Sequence, residues 1–412
     1  MSTSKLFSFT LGTLSAIGGF IDIGDLVADA LVGARFGLRL AWVTVLAVVG
    51  IMCYAEMSGR IAAVTKRPAF DLARSRLGPR YGLVALVGAF LVTGLLVMAE
   101  LSGIAFSFQL LTDISYLFWV PVAGLVVALF LWALPFEILE RIYGIVGLSM
   151  LVFVVAVWQL HPDWGHLWHS ATTPSPTPGE TWPIYAFLGI TLVGAQMTPY
   201  EMFFFSSGGV EHGWGPRSFA EMRTNVIVGF PLGGLLAIAI QAVALVVFYP
   251  AGIQVEHITQ TVLPVVVALG KVGLAFAAVG IFAATFGATM ETLFATGYDI
   301  AQYFGWSYGK LQPPAQAARF TAVTASLLFV SVALALTTLN PIQVTIVAVV
   351  FSAMLLPLAF LPVLLVANDH VVMGQYRNGK LSNAIGVVTL GVSCLISVAA
   401  PVLLVYTRGG SG

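Results

Sequence analysis

The sequence has little charge and almost no cysteine. Charged residues make up only 9% of the 412 residues, whereas about a quarter is usual for a soluble chain. Eighteen Lys and Arg balance 18 Asp and Glu, so there is no basic domain to bind nucleic acid. Two cysteines, Cys53 and Cys394, are too few for a disulfide scaffold or a cysteine-based zinc site. With 59% hydrophobic residues, the chain is predicted to be an all-α integral membrane protein.

Long apolar runs divide the chain into membrane spans. A spanning helix needs about 20 mainly apolar residues, and we find eleven candidates in the sequence. They lie at 8–33, 39–63, 82–111, 115–134, 138–160, 182–208, 224–249, 266–304, 317–338, 341–367 and 383–406. The first run continues into acidic residues without a cleavage site, so we do not expect it to be a removed signal peptide.

The distribution of Lys and Arg predicts how the chain crosses the membrane. If the N-terminus is cytoplasmic, 14 of these residues lie inside and 4 outside, and a cluster at 66–80 dominates the bias. Cytoplasmic loops of membrane proteins carry an excess of Lys and Arg. We therefore expect a multi-pass protein of the cell membrane, with a cytoplasmic N-terminus and an external C-terminus. We expect the lipid bilayer to surround it and the chain to be a monomer.

No long linker separates domains, so residues 1–412 are predicted to form a single transmembrane domain. The longest polar connection, 161–181, separates five spans from six. An odd number of spans per repeat makes the second repeat enter with the opposite polarity, as in an inverted-repeat transporter. We predict a first inverted repeat at 8–160, a second at 182–367 and an additional helix at 383–406.

The first span of each half contains a helix-breaking segment. In the first, Asp22-Ile23-Gly24-Asp25 places two acids around a glycine, and these residue types disfavour a continuous helix. In the sixth, Pro199 removes one backbone hydrogen bond and frees carbonyls near Ala195. Paired interruptions at corresponding positions of two halves indicate a transporter binding site.

The residues at these two breaks predict a site made of oxygen atoms. Asp22 and Asp25 supply two carboxylates, the freed backbone supplies carbonyls, and Glu201 adds a third acid if it turns inward. A carboxylate at the bilayer centre costs about 2.5–3.5 kcal/mol on insertion scales, so these acids need a function. Oxygen-only sites suit hard cations such as Mg²⁺, Mn²⁺ and Ca²⁺.

At these segments the chain resembles the NRAMP family of divalent-metal transporters. The first-helix signature of that family, Asp-Pro-Gly-Asn, corresponds to residues 22–25, and its sixth-helix signature, Met-Pro-His, corresponds to residues 198–200. The likeness continues at 100–103 and 340–341. It implies a LeuT-like 5+5 inverted repeat with about 11 transmembrane helices, of which helices 1 and 6 are broken. It also implies metal ligands at Asp22, Asp25, Thr198 and the carbonyl of Ala195.

Several residues depart from the family pattern. Thr198 replaces the methionine whose soft thioether favours transition metals, and Asp25 adds a charge where the family has Asn. Val97 occupies the position of an acid used in proton coupling, and Tyr200 and Phe205 occupy positions of histidines.

Four further residues are candidates to lie beside the ion or on its path. Glu100 is retained from the family pattern and could pair with Arg319. Met197, Tyr200 and Glu201 are the other three candidates, because they adjoin the sixth-helix break.

The loss of the sulfur and of the proton-titrating groups resembles the NRAMP-related magnesium transporter branch, whose members carry Mg²⁺ without proton coupling; the second acid, Asp25, is not part of that likeness. We therefore expect a secondary transporter of a divalent cation, Mg²⁺ or Mn²⁺ being favoured, that works by alternating access with weak or no proton coupling. The ion is its substrate, no cofactor is expected, and the chain is not expected to be an enzyme.

Three questions stay open at this point. The same architecture could carry an amino acid or another organic solute, although two adjacent acids would repel a carboxylate. Asp22-Ile23-Gly24-Asp25 partly resembles the Gly-x-Gly-Asp motif of intramembrane aspartyl proteases, but such enzymes need two facing aspartates. Glu291 and Asp299, two turns apart in the eighth span, either line an inner vestibule or extend their carboxyls to the membrane surface.

Overall fold

A computed structural model describes residues 21–133, 136–337 and 339–410, without the side chains of 132, 133, 136, 137 and 139–141. Within these ranges all regular structure is helical. The helices are α1 (Ile23–Phe36), α2 (Ala41–Thr65), α3 (Ala69–Leu77), α4 (Pro79–Thr112), α5 (Tyr116–Ala133), α6 (Phe136–Gly147), α7 (Val152–Gln159), α8 (Trp164–Thr172), α9 (Trp182–Gln196), α10 (Pro199–Glu211), α11 (Phe219–Ala251), α12 (Leu263–Phe304), α13 (Ala318–Ala335), α14 (Pro341–Asn368), α15 (His370–Met373) and α16 (Lys380–Tyr406).

Eight of the described segments are long and apolar enough to cross a membrane. They are Ala41–Thr65, Pro79–Thr112, Ile142–Gln159, Pro216–Val247, Ile258–Phe304, Ala318–Ala335, Pro341–Asn368 and Lys380–Tyr406. The other three predicted spans coincide with α1, with α5 and with the pair α9 and α10. The part of the first predicted span before residue 21 lies outside the described residues. The chain is therefore a multi-pass membrane protein, while its orientation and its division into two repeats stay predictions.

The helices pack along their lengths around a core of apolar side chains. α4 runs beside α12 and α14, α1 lies against α11, and α9 packs on α14. Between α2 and α14, the rings of Tyr54 and Phe360 stack with centroids 3.8 Å apart. On α16, by contrast, Leu395 is 73% exposed, as expected for a helix whose outer face meets lipid.

A buried polar contact fixes α1 between α2 and α11. The amide nitrogen of Gln241 donates to Asp29 at 2.8 Å and to the hydroxyl of Thr44 at 3.0 Å. One turn along α1, a Cβ at Gly33 would lie 2.4 Å from the backbone oxygen of Gln241, so the two helix backbones nearly touch. Asp29 is thus a packing residue that holds three helices in register.

Ion pairs secure α1 and α2 at the ends away from the helix breaks. Arg35, in the last turn of α1, binds both carboxylate oxygens of Glu180 at 2.7 and 2.9 Å. Arg60, near the end of α2, pairs with Glu56 at 3.0 Å and donates to Asn378 in the connection that precedes α16. The start of α1 and the junction of α9 with α10 are two stretches of irregular backbone inside the helix bundle.

Candidate metal-binding site

The start of α1 is held by a reciprocal pair of aspartates. Asp22 is the N-cap, with φ −112° and ψ −177°, and its carboxylate accepts from the backbone N–H of Asp25 at 3.0 Å. The carboxylate of Asp25 accepts in turn from the backbone N–H of Asp22 at 3.1 Å. Such a capping box satisfies two amides that a helix start leaves unpaired. The predicted break at 22–25 is therefore the first turn of a helix.

A third carboxylate reaches the same turn from α4. The backbone N–H of Ile23 donates to Glu100 at 3.1 Å, and Glu100 is almost completely buried. The second oxygen of Glu100 is buried without a hydrogen-bond partner. Sequence reasoning placed Glu100 near the site but could not find this contact, because the two residues are 77 positions apart.

The second break separates α9 from α10. Met197 (φ −133°, ψ 83°) and Thr198 (φ −95°, ψ 134°) are non-helical, and α10 begins at Pro199. The carbonyl of Ala195 would receive its helical hydrogen bond from the N–H of residue 199, which proline lacks. The break predicted at Pro199 is confirmed, and Ala195 offers a carbonyl oxygen there.

Gln196 joins the two breaks. Its amide nitrogen donates to Asp25 at 2.6 Å, so the last residue of α9 binds the first turn of α1. The hydroxyl of Tyr200 lies close to the carboxylate of Asp22. Gln196 is a site residue that the sequence reasoning missed, since the contact spans 171 positions and glutamine belongs to no recognised signature.

Thr198 and Glu201 complete the oxygen-rich side of the second break. Thr198 is fully buried, and its hydroxyl lies beside the carboxyl of Glu201. Glu201 is partly buried in the first turn of α10, close enough to Asp22 for their negative charges to repel. The structure therefore places Glu201 within electrostatic range of Asp22 and Asp25.

Met197 has different surroundings. A Cβ at Gly50 of α2 would lie 2.9 Å from the methyl carbon of Met197 and 2.9 Å from Thr389 of α16. The end of the Met197 side chain thus packs between α2 and α16, and neither helix supplies a carboxylate to the site. This placement leaves Thr198 as the residue at the break that faces Glu201.

The carboxylates have no basic partner in the described part of the chain. The five ion pairs found there leave out Asp22, Asp25, Asp29, Glu100 and Glu201. The expected pairing of Glu100 with Arg319 is wrong, because Arg319 is exposed and lies over the ring of Trp306 at 5.3 Å. Glu100 instead accepts from the start of α1.

Val349 of α14 contacts both breaks. A Cβ at Gly24 would lie 2.7 Å from its side chain, and a Cβ at Gly194 would lie 1.9 Å from its backbone oxygen. Only glycine allows these approaches, so α14 holds the ends of α1 and α9 at a fixed separation. Val349 is fully buried and apolar, so its side chain supplies no ligand atom to the site.

The site is closed to solvent. Asp22 is 4% exposed, Asp25 3% and Thr198 0%. Within the described ranges, no group of three or more His, Cys, Asp or Glu side chains is arranged so that it could hold a metal ion. An ion held here would therefore be bound by two carboxylates together with neutral oxygens, from Ala195, Gln196 or Thr198.

Comparisons with known proteins identify the family of the chain. The family model described as "Natural resistance-associated macrophage protein-like" (Nramp) matches residues 12–403. The chain belongs to the Nramp family. A "Divalent metal cation transporter MntH" of Aeromonas hydrophila is 25% identical, over 96% of this chain and 97% of the relative. The resemblance seen in the sequence is thereby confirmed, as is the expectation that the chain is a transporter and no enzyme.

Solved structures confirm the fold. A manganese transporter mutant from Eremococcus coleocola superposes with a TM-score of 0.76 at 18% identity, covering 94% of this chain and 84% of that one. Mhp1, a nucleobase-cation-symport-1 family transporter, gives 0.62 at 15% identity, covering 97% of this chain and 91% of that one. The predicted LeuT-like architecture is thus correct.

Because Gly194 contacts the backbone of α14, adding one methyl group at this position is expected to lower the stability of the protein strongly. We expect Gly194→Ala to lower the stability by about 1–3 kcal/mol, because the new Cβ collides with a backbone oxygen that cannot turn aside. Thermal unfolding of the purified protein, followed by tryptophan fluorescence, measures the change. Gly189→Ala in the same helix is the matched control, since its Cβ would be 3.5 Å from Leu40 and clear of collisions. Equal melting temperatures for the two variants would refute the contact.

Proposed function

We propose that this Nramp protein carries a divalent metal cation across the membrane by alternating access, with Asp22, Asp25, Thr198 and the Ala195 carbonyl as the ion's ligands. The observation that supports it most strongly is the meeting of two helix breaks at a buried group of carboxylates without a basic partner in the described chain. Buried charges in proteins are paired or coordinate metals. A bound cation would supply the missing positive charge.

Capping alone does not explain these acids. Asn and Ser cap helices about as well as Asp does, and they bring no charge into the bilayer. Here Asp22, Asp25 and Glu100 all serve the first turn of α1, although neutral residues could satisfy the same amides. The extra negative charge is useful only if something positive binds.

The ligand set favours a hard cation. Thr198 offers a hydroxyl oxygen where the family signature has a methionine, and Met197 packs between α2 and α16. Without a sulfur ligand, the site has no preference for soft transition metals over Mg²⁺. Mg²⁺ keeps several waters and uses only one or two carboxylates, which fits the two aspartates. Mn²⁺, which also accepts oxygen ligands, is the second candidate.

Weak or absent proton coupling is part of the proposal. Val97 is fully buried among apolar side chains, and Phe205 packs edge-on against Trp214. Neither side chain carries a proton, although the family resemblance places titrating residues at these positions. The ion would therefore move down its own gradient.

The two alternative functions fit the geometry less well. An amino acid or organic anion would meet several carboxylates and no basic side chain among those described at the site. A protease would need two aspartates that face each other across a substrate, whereas Asp22 and Asp25 bind each other's backbone within one helical turn. We therefore retain the cation carrier.

Removing one charge tests the site. We expect Asp22→Asn or Asp25→Asn to weaken Mg²⁺ and Mn²⁺ binding by at least about tenfold, or ~1.4 kcal/mol, because each variant keeps a capping oxygen and loses a charged ligand. Isothermal titration calorimetry of the purified protein measures the affinity. Asp163→Asn is the control, because Asp163 also caps a helix, at Gly165 and His166, and lies in an exposed connection. Wild-type affinity in both site variants would rule out this site.

Restoring sulfur tests the ligand role of Thr198. We expect Thr198→Met to shift the preference from Mg²⁺ toward Mn²⁺ and Cd²⁺, because a thioether is a softer ligand than a hydroxyl. Competition binding of the three ions gives their order. Met197→Leu should leave that order unchanged, since its side chain packs between α2 and α16. If the order is the same in Thr198→Met as in the wild type, Thr198 does not touch the ion.

A further inference from the structure

A stripe of buried polar residues runs along α12. Thr285, Thr289, Thr292, Thr296 and Asp299 recur at alternate spacings of four and three, which places them on one face of the helix. All five are buried. At 1.5 Å per residue the stripe is about 21 Å long, so it covers more than half of the apolar thickness of a bilayer.

The stripe faces α4 and begins beside the candidate ion site. A Cβ at Gly103 of α4 would lie 2.6 Å from Thr285 and 3.1 Å from Ile23, the residue after Asp22. Further along, the hydroxyls of Thr296 and Thr93 are 2.8 Å apart. α4 and α12 are therefore antiparallel, and the interface between them leads away from the start of α1.

The far end of the stripe reaches α10 and α3. The amide nitrogen of Gln302, one turn after Asp299, donates to the hydroxyl of Ser207 in α10 at 2.9 Å. Arg74 of α3 donates to the backbone oxygen of Gln302 at 3.0 Å. Since α3 lies in the basic segment 66–80, this end of the stripe is on the side predicted to be cytoplasmic.

Three oxygen atoms in the second half of the stripe and one turn beyond it have no hydrogen-bond partner. They belong to Thr292, Asp299 and Gln302. Asp299 is 2% exposed and forms none of the ion pairs found in the described chain, so its carboxyl does not extend to the membrane surface. A lone buried acid inside the bilayer is costly and indicates an ion pathway.

The hydroxyls of the stripe present acceptors. Thr289 donates its hydrogen to the backbone oxygen of Thr285 at 2.7 Å. Thr296 donates its hydrogen to the hydroxyl of Thr93 at 2.8 Å or to the backbone oxygen of Thr292 at 3.0 Å. With the hydrogen used in this way, the lone pairs of the hydroxyl oxygen remain. A row of such oxygens that ends in a carboxylate attracts cations and repels anions.

We propose that Asp299 is a second, weaker station for the transported divalent cation, on an inner path along the face of α12 between the site at 22–25 and the end of that helix. This inference rests on the proposed cation-carrier function. Thr296 and Gln302, about one turn before and one turn after Asp299, supply neutral oxygens to the partly hydrated ion next to it. Because all of these residues are buried, the path is closed in this conformation. It opens in the inward-facing conformation of the carrier.

Transport kinetics test the station separately from the main site. Mn²⁺ uptake into proteoliposomes is measured for Asp299→Asn and Thr296→Val, and Mn²⁺ affinity is measured by calorimetry on the same preparations. We expect Asp299→Asn to lower kcat/KM about fivefold, while the high-affinity Kd stays within about twofold of the wild type. Asp299→Glu should restore most of the uptake, because it keeps the charge.

Matched controls and contrary outcomes make the test decisive. Thr324→Val removes a buried hydroxyl on α13, and Asp71→Asn removes a carboxylate of α3; both should transport as the wild type does. Wild-type kinetics in Asp299→Asn, or a loss of high-affinity binding in that variant, would overturn the station. If Asp299→Asn does not fold, kcat/KM and Kd are measured for Thr296→Val instead, and wild-type values of both would overturn the station. A wild-type protein that binds no divalent cation would overturn the proposed function itself.

Discussion

The helix breaks depend on one constraint: a backbone amide inside a bilayer must find its hydrogen-bond partner within the protein. At the start of α1 the partners are carboxylates, since Asp22 and Asp25 bind each other's amides and Glu100 binds that of Ile23. Gln196 then ties this turn to the end of α9. The side chains that bind these backbone amides therefore also belong to the candidate ion site. The fold of the first turn of α1 and the proposed function depend on the same residues.

This double role suggests how binding and movement are linked. An ion that draws the carboxylates of Asp22 and Asp25 toward itself competes with the amides that they cap and with Gln196. The contacts of Val349 with Gly24 and Gly194 fix the distance between the two breaks. A change of backbone conformation on ion binding is therefore expected in the short non-helical segments. A substrate can shift a conformational equilibrium only through such differential contacts. The first turn of α1 and residues 197–198 are where an ion would act on the fold.

Much of this could be predicted from the sequence because the signals are local. Pro199 predicts the break that follows Gln196, and the acids of 22–25 predict the irregular start of α1. The partners across the bundle could not be predicted, since Glu100, Gln196 and Val349 reach the breaks from distant positions and carry no local signature. The expected pairing of Glu100 with Arg319 failed for the same reason. The direction of the Met197 side chain could not be predicted either, because helical spacing does not apply to an unwound segment.

The most direct test of the account is cation uptake with simultaneous measurement of internal pH. Proteoliposomes containing the purified protein are loaded with a Mg²⁺-sensitive or a Mn²⁺-sensitive dye and, in parallel, with a pH dye. The account predicts that Mg²⁺ or Mn²⁺ enters down its own gradient while the internal pH stays constant, and that Asp25→Asn abolishes the entry. Mn²⁺ entry that brings protons with it, together with no Mg²⁺ flux, would contradict the hard-cation site and the interpretation of Thr198 and Val97.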